Sequence, residues 1–266
     1  MKKSLSEQAV EYLEYLKEQG LTHVPASKKI RPKPTSVAAA SKPQAPHRQA
    51  STPSPVEAAS ALPASSVPSA PPAGGVDTLE SLKAEIAQCH ACPLWETRLH
   101  TVPGQGILHP DIMFIGEGPG QNEDEQGLAF VGKAGQLLTK MIQAMGYARE
   151  DVFIANIVKC RPPGNRVPSP DEMAGCMPYL KRQIAIIQPK LIVCLGATAV
   201  RGLVQEQTSI SRVRGSWREF EGIPVMLTFH PAYLLRDPRK KVEAWADLKA
   251  VLARLGKTPP TMPAKP

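Results

Sequence analysis

Apolar residues along this chain gather into four short runs, separated by stretches with helical spacing. The runs are 112–115, 152–158, 191–195 and 225–229, dominated by Ile, Val, Leu, Met and Phe. Such short apolar runs predict strands buried on both faces. Between and after them, apolar positions recur every three or four residues over roughly 134–146, 170–187, 197–204 and 240–255, which predicts helices. An earlier helix is predicted from a cap at Asp77 or Thr78 through Leu79, Leu82 and Ile86 toward Cys89. Strands alternating with helices imply parallel pairing and right-handed crossovers. The expected fold is therefore α/β: a three-layer α/β/α sandwich around a small, four-stranded parallel sheet.

Upstream the pattern changes. Over 5–19, Leu5, Val10, Leu13 and Leu16 lie near one face of a short amphipathic helix that Gly20 ends. A helix this short does not hold in water without a docking surface. It reads as loosely docked or free, with an unknown protein partner as the sharper alternative. From 25 to 76 the chain is Pro, Ala and Ser with scattered bases, a composition that buries too little surface to fold. We expect an N-terminal helical segment at 1–24, a disordered linker at 25–76, one domain at 77–257 and a flexible tail at 258–266.

Charge and compartment narrow the function classes. Of the net +8, residues 27–76 hold six bases against one acid, and residues 1–26 hold three against four, so about +4 is left on the domain. A mildly basic domain permits a nucleic-acid partner without demanding one. No apolar run approaches membrane-spanning length. The start soon meets Glu7, Glu11 and Glu14 and lacks a signal peptide's apolar centre, so a cytoplasmic protein with no membrane association is expected.

The candidate chemistry begins where the first apolar run ends. Gly116-Glu117-Gly118-Pro119-Gly120 is followed by Glu123, Gly127, Phe130 and Gly132 before the next helical pattern. A strand thus delivers a glycine-rich loop, and ligands of open α/β sheets bind beyond the carboxyl ends of strands. A dinucleotide fingerprint would need Gly or Ala where Gln121 stands, and no Gly-Lys-Ser/Thr closes a Walker loop. Two more predicted strands end in polar residues, Asn156 and His230. An amide is donor and acceptor at once and can read an imide edge. Together Glu117, Phe130, Asn156 and His230 are expected to line one pocket.

Five cysteines in a chain expected to be cytoplasmic favour metal or core roles over disulfides. Cys89 and Cys92 form a Cys-x-x-Cys pair, and Cys160 and Cys176 form a second, wider pair. Two such pairs can build one four-thiolate site, for zinc or for an iron–sulfur cluster; spacing does not choose between them. Cys194 lies inside an apolar run and reads as core.

Taken together these residues resemble the iron–sulfur, type 4 uracil-DNA glycosylases. Gly116-Glu117-Gly118-Pro119-Gly120 with Glu123-Asp124 and Phe130-Val131-Gly132-Lys133-Ala134-Gly135 is similar to that family's first motif. Asn156-Ile157-Val158-Lys159-Cys160-Arg161-Pro162-Pro163 is similar to its second, and Phe229-His230-Pro231-Ala232-Tyr233-Leu234-Leu235-Arg236 to its last. The resemblance covers nearly all of 78–256 and implies a monomer acting on uracil-containing DNA, at the nucleoid of a prokaryotic cytoplasm. It implies uracil held by Glu117, Gly118, Phe130, Asn156 and His230, with Glu117, Glu123 and His230 as catalytic groups. It further implies a 4Fe–4S cluster on Cys89, Cys92, Cys160 and Cys176. Arg161, Arg166 and Arg236 are candidate phosphate contacts, and Tyr233, Leu234 and Leu235 a wedge into the duplex. Ala129 departs from the family, where proline often precedes the aromatic. A related branch crosslinks DNA through a histidine in an inserted loop after the second motif; 161–170 has neither, so turnover is expected. The alternatives are a glycosylase for another deaminated base, or a DNA-binding iron–sulfur protein of the same fold without catalysis.

Overall fold

The computed structural model describes residues 77–260. The expected helix over 5–19, the linker at 25–76 and most of the tail lie outside the described residues. Six strands make one sheet: β1 Gln105–Gly106, β2 Ile112–Gly116, β3 Phe153–Asn156, β4 Leu191–Leu195, β5 Trp217–Phe220 and β6 Ile223–Thr228. Their spatial order is β1-β3-β2-β4-β6-β5. The central four are parallel, as the apolar runs predict. The expected count of four is corrected to six by two antiparallel edges, β1 on β3 and β5 on β6. β1 has two residues, too few for any periodicity, and β5 carries Arg218 and Glu219 between its aromatics. β5 and β6 form a hairpin through Glu221 and Gly222, both at positive φ (50° and 83°), as a two-residue turn of the right twist needs.

Eight helices flank the sheet among the described residues: α1 Leu79–Ala87, α2 Gln121–Gln126, α3 Lys133–Ala144, α4 Pro170–Ile187, α5 Gly196–Val204, α6 Ile210–Val213, α7 Pro231–Arg236 and α8 Lys241–Arg254. Strand alternation divides the core. Met113, Ile115, Ile192, Cys194, Val225 and Leu227 pack beneath α1, α4 and α5. Ile112, Phe114, Val193, Leu195 and Met226 pack beneath α3 and α8. Both faces are covered, which is why the central strands are apolar up to Asn156 and Thr228 at the ends of β3 and β6. Starts are signalled locally: Thr78 caps α1, and Ser169 with Glu172 closes a capping box on α4, with Pro170 at its first position. No helix of the described residues is long and apolar enough to cross a membrane.

What matters for chemistry is the register at the carboxyl ends. Gly116 pairs with Asn156, and Leu195 with Thr228. Glu117, Asn156, Gly196 and His230 therefore leave neighbouring strands at the same end of the sheet. β3 stops at Asn156, short of the expected 158. Ile157 and Val158 still donate to the Gly116 and Glu117 carbonyls at 3.0 and 3.2 Å, tying the two loops together beyond the sheet.

Candidate active site

The glycine-rich loop is held open by one of its own acids. Glu123, in the first turn of α2, accepts Gly120 N–H on one oxygen at 3.1 Å. Its other oxygen accepts Val131 N–H and Gly132 N–H, each at 2.8 Å. Both oxygens are thus occupied by the loop's backbone. Glu123, expected among the catalytic groups, is placed by these bonds as the clasp that closes the loop on either side of Phe130. Arg149 grips the same segment from behind, donating to the Ala129 carbonyl at 2.6 Å and to Thr139 Oγ1 at 2.9 Å. Between these anchors Phe130 sits at φ 52°, a strained left-handed conformation for an aromatic residue. Its backbone lies so close to Gly135 that a Cβ there would come within 1.9 Å of the Phe130 carbonyl oxygen.

Phe130 meets the other candidates across Gly116. A Cβ at Gly116 would stand 2.5 Å from both Asn156 Oδ1 and Phe130 Cζ. The His230 ring lies 5.7 Å from that of Phe130, centroid to centroid. Asn156 is buried and its Oδ1 has no hydrogen-bond partner among the described residues. An orphaned buried acceptor costs stability unless a ligand meets it. His230 caps α7: its Nδ1 accepts Ala232 N–H at 3.1 Å. That bond leaves the ring proton on Nε2, facing away from the cap. Burial, helped by Arg236, pushes the His230 pKa down to about 4, so the ring is neutral at ordinary pH and presents an N–H donor without a charge.

Glu117 follows β2 directly. One of its oxygens accepts the hydroxyl of Thr198, in the first turn of α5. Sequence reasoning missed Thr198, because the 191–195 run ends without a polar residue. It also missed Lys159, a fully buried lysine whose Nζ donates to the Asn156 carbonyl at 2.8 Å. Its place inside the second motif was the available signal.

The expected DNA contacts divide by exposure. Leu234 is 1% exposed and packs with Phe229 and Ala244, so it is no wedge; Leu235, beside it, is 44% exposed. Helix α7 turns one leucine inward and the next outward, which adjacent letters do not reveal. Tyr233 leans on the Phe229 ring at 5.0 Å. Arg236 is exposed. Arg161 is held at its Nε by Asn165 Oδ1, 2.8 Å away. Arg166 forks onto both oxygens of Glu172 at 2.8 and 2.6 Å, which commits it to the loop's own structure.

All four expected ligand cysteines line one small cavity, with Ile86 and Tyr179 among its walls. Cys194 lies elsewhere, fully buried in the core. Donors point at the sulfurs: Arg98 at Cys160 Sγ (3.2 Å), Lys159 N–H at Cys176 Sγ (3.3 Å) and Ala91 N–H at Cys89 Sγ (3.4 Å). Burial pushes the Cys92 and Cys160 thiols up, and Cys176 to about 12. Reactive redox thiols show the opposite shift. Among the described residues no three His, Cys, Asp or Glu side chains are gathered tightly enough to hold a single metal ion.

Comparison with known proteins bears on these features. The family model for the uracil DNA glycosylase superfamily matches residues 103–249. A Type-4 uracil-DNA glycosylase of Sulfurisphaera tokodaii is 45% identical over 185 residues, covering 66% of this chain and 84% of that protein. One of Thermotoga maritima is 48% identical over 163 residues, 60% and 85% of the two chains. A Type-5 uracil-DNA glycosylase of Pyrobaculum aerophilum is more distant, 27% identical over 188 residues, 64% and 83% of the two chains.

Proposed function

The chain belongs to the uracil DNA glycosylase superfamily, and on that premise we propose that its strand-end pocket excises uracil from DNA. The activity is that of a DNA glycosylase, a hydrolase that cleaves the N-glycosidic bond and leaves an abasic site for base-excision repair. One observation carries the assignment of the pocket: the buried, partnerless Asn156 Oδ1 beside the Phe130 ring. Uracil flipped out of the stack at a cost of a few kcal/mol would stack on Phe130 and give its N3–H to that oxygen. The Asn156 amide would meet O4. Cytosine, with an amino group and a bare N3, offers the reverse pattern and leaves the acceptor unmet.

The chemistry follows from the remaining groups. The C1′–N1 bond breaks, its electron pair leaves with uracil, and a water oxygen bonds to C1′. Uracil regains a proton and the water loses one. The neutral His230, with its proton on Nε2, supports a donor role toward charge growing on uracil O2, joined by the Gly118 amide. Glu117, with one oxygen on Thr198, is left to hold the water or to face the cationic sugar. Glu123 acts through the loop, keeping Phe130 in place. Arg161 and Arg236 are proposed to meet phosphates, with Leu235 and Tyr233 entering the duplex beside the lesion.

Cys89, Cys92, Cys160 and Cys176 are proposed to hold a 4Fe–4S cluster. Four thiols around one cavity support it, as do donors aimed at the sulfurs. Cys89 and Cys92 after α1, Cys160 after β3 and Cys176 within α4 would hold the group, which would supply a structural clamp between these segments. The test is direct. Oligonucleotides carrying uracil, hypoxanthine or thymine are incubated with the protein, and abasic sites are scored by alkaline cleavage. Uracil is expected to be released, and thymine to survive. Failure on uracil with release of hypoxanthine would transfer the reading to another deaminated base.

A further inference from the structure

The end of β4 contributes to the pocket although its own sequence, Leu191–Leu195, is wholly apolar. The chain leaves it through Gly196 at φ 87°, where a Cβ would come within 2.8 Å of the His230 Cβ. Two residues later, Thr198 is 5% exposed and its hydroxyl donates to Glu117 Oε2. No other hydrogen bond reaches the Glu117 carboxylate among the described residues. Its second oxygen has no partner among them. By contrast, Glu123 in the same loop has both oxygens filled by backbone amides.

We propose that Thr198 is a positioning residue for excision, fixing the Glu117 carboxylate so that its free oxygen faces the reacting sugar and water. The proposal rests on reading the pocket as the site of uracil excision. A glutamate has three rotatable torsions, and Glu117 stands between glycines that do nothing to restrain it. Thr198 is the opposite kind of residue. It is branched at Cβ, so its χ1 is restricted. It also sits on α5, whose Ala199, Val200 and Leu203 are buried in the core. The hydroxyl thus transmits the rigidity of the sheet layer to a side chain on a glycine-rich loop. The same junction, through Gly196, brings β4 against His230, so one turn of chain registers both the carboxylate and the imidazole.

The experiment is a double-mutant cycle read in single-turnover excision with enzyme in excess, alongside affinity for uracil-containing DNA and thermal melting. Wild-type protein must first release uracil; if it does not, the reading of the pocket fails, and the cycle is not what fails it. Given that activity, Thr198→Val is expected to slow the chemical step by about tenfold to a hundredfold, with DNA affinity and melting temperature unchanged. Thr198→Ser, which keeps the hydroxyl, is expected to restore most of the rate. On a Glu117→Gln background, Thr198→Val is expected to add no further loss, because the two act as one unit. An unaltered rate in Thr198→Val would overturn the proposal. So would an equal loss on both backgrounds, or a serine variant as slow as the valine one.

Discussion

The strand-end pocket and the cysteine cavity share a stretch of chain, from Asn156 to Cys160, yet they use their polar atoms in opposite ways. Around the cavity polar groups find partners within the protein. Arg98 reaches Cys160 Sγ and the Cys89 and Ala87 carbonyls, and Glu172 is taken by Arg166 and Ser169. In the pocket, among the described residues, capacity is left over: Asn156 Oδ1 has no partner, the outer nitrogen of His230 makes no bond, and Glu117 is bonded on one oxygen. Satisfied groups hold a shape; a buried acceptor left without a partner, as Asn156 Oδ1 is, costs stability that a ligand can restore. The same contrast separates the two acids of one loop, Glu123 and Glu117.

That contrast can be broken first at Asn156. Asn156→Ala is expected to lower uracil excision by about a thousandfold, with iron content and melting temperature as in wild type. Excision near the wild-type rate would mean that the leftover acceptor is idle. The cavity should answer in the other currency. Protein purified anaerobically is expected to be brown and to contain iron, and Cys176→Ala to lose both and melt lower by roughly 10 °C. A colourless wild-type protein, or a variant of unchanged stability, would remove the cavity's structural role.

Acid sharpens the comparison further. His230 is held neutral by burial, so between about pH 6.5 and pH 4 the unfolded chain binds a proton that the folded one refuses. Stability should therefore fall as pH drops through that window, by up to about 3 kcal/mol. His230→Asn should flatten the fall, as urea midpoints at several pH values would register; an unchanged slope would deny the buried neutral ring. The smallest effect is expected at the rim. Leu235→Ala should weaken binding to duplex uracil DNA by about 1 kcal/mol without loss of stability, measured by fluorescence anisotropy. Equal binding would take Leu235 out of the interface.

The sheet and its helices were legible because apolar periodicity is a property of the letters themselves. The helices over 170–187 and 197–204 match α4 and α5 within a residue. What escaped depends on facts the letters do not carry. Glu123 reads as an acid of the loop, and the letters do not show the three backbone amides that it accepts. Leu234 and Leu235 are indistinguishable until α7 turns one of them into the core. Thr198 is an ordinary helix residue until β4 is placed beside β2. Pocket residues at strand ends could be named from sequence; the residues that hold them come from elements distant in the chain, and tertiary pairing reveals them.

Gly116 has a consequence of its own. A methyl group there would press on Asn156 and Phe130, the residues that would have to yield. Gly116→Ala would leave the sheet its hydrogen bonds and force the Phe130 ring or the Asn156 amide to shift. One added carbon would therefore strain the residues that gather at the strand ends before it disturbed the pairing of the strands.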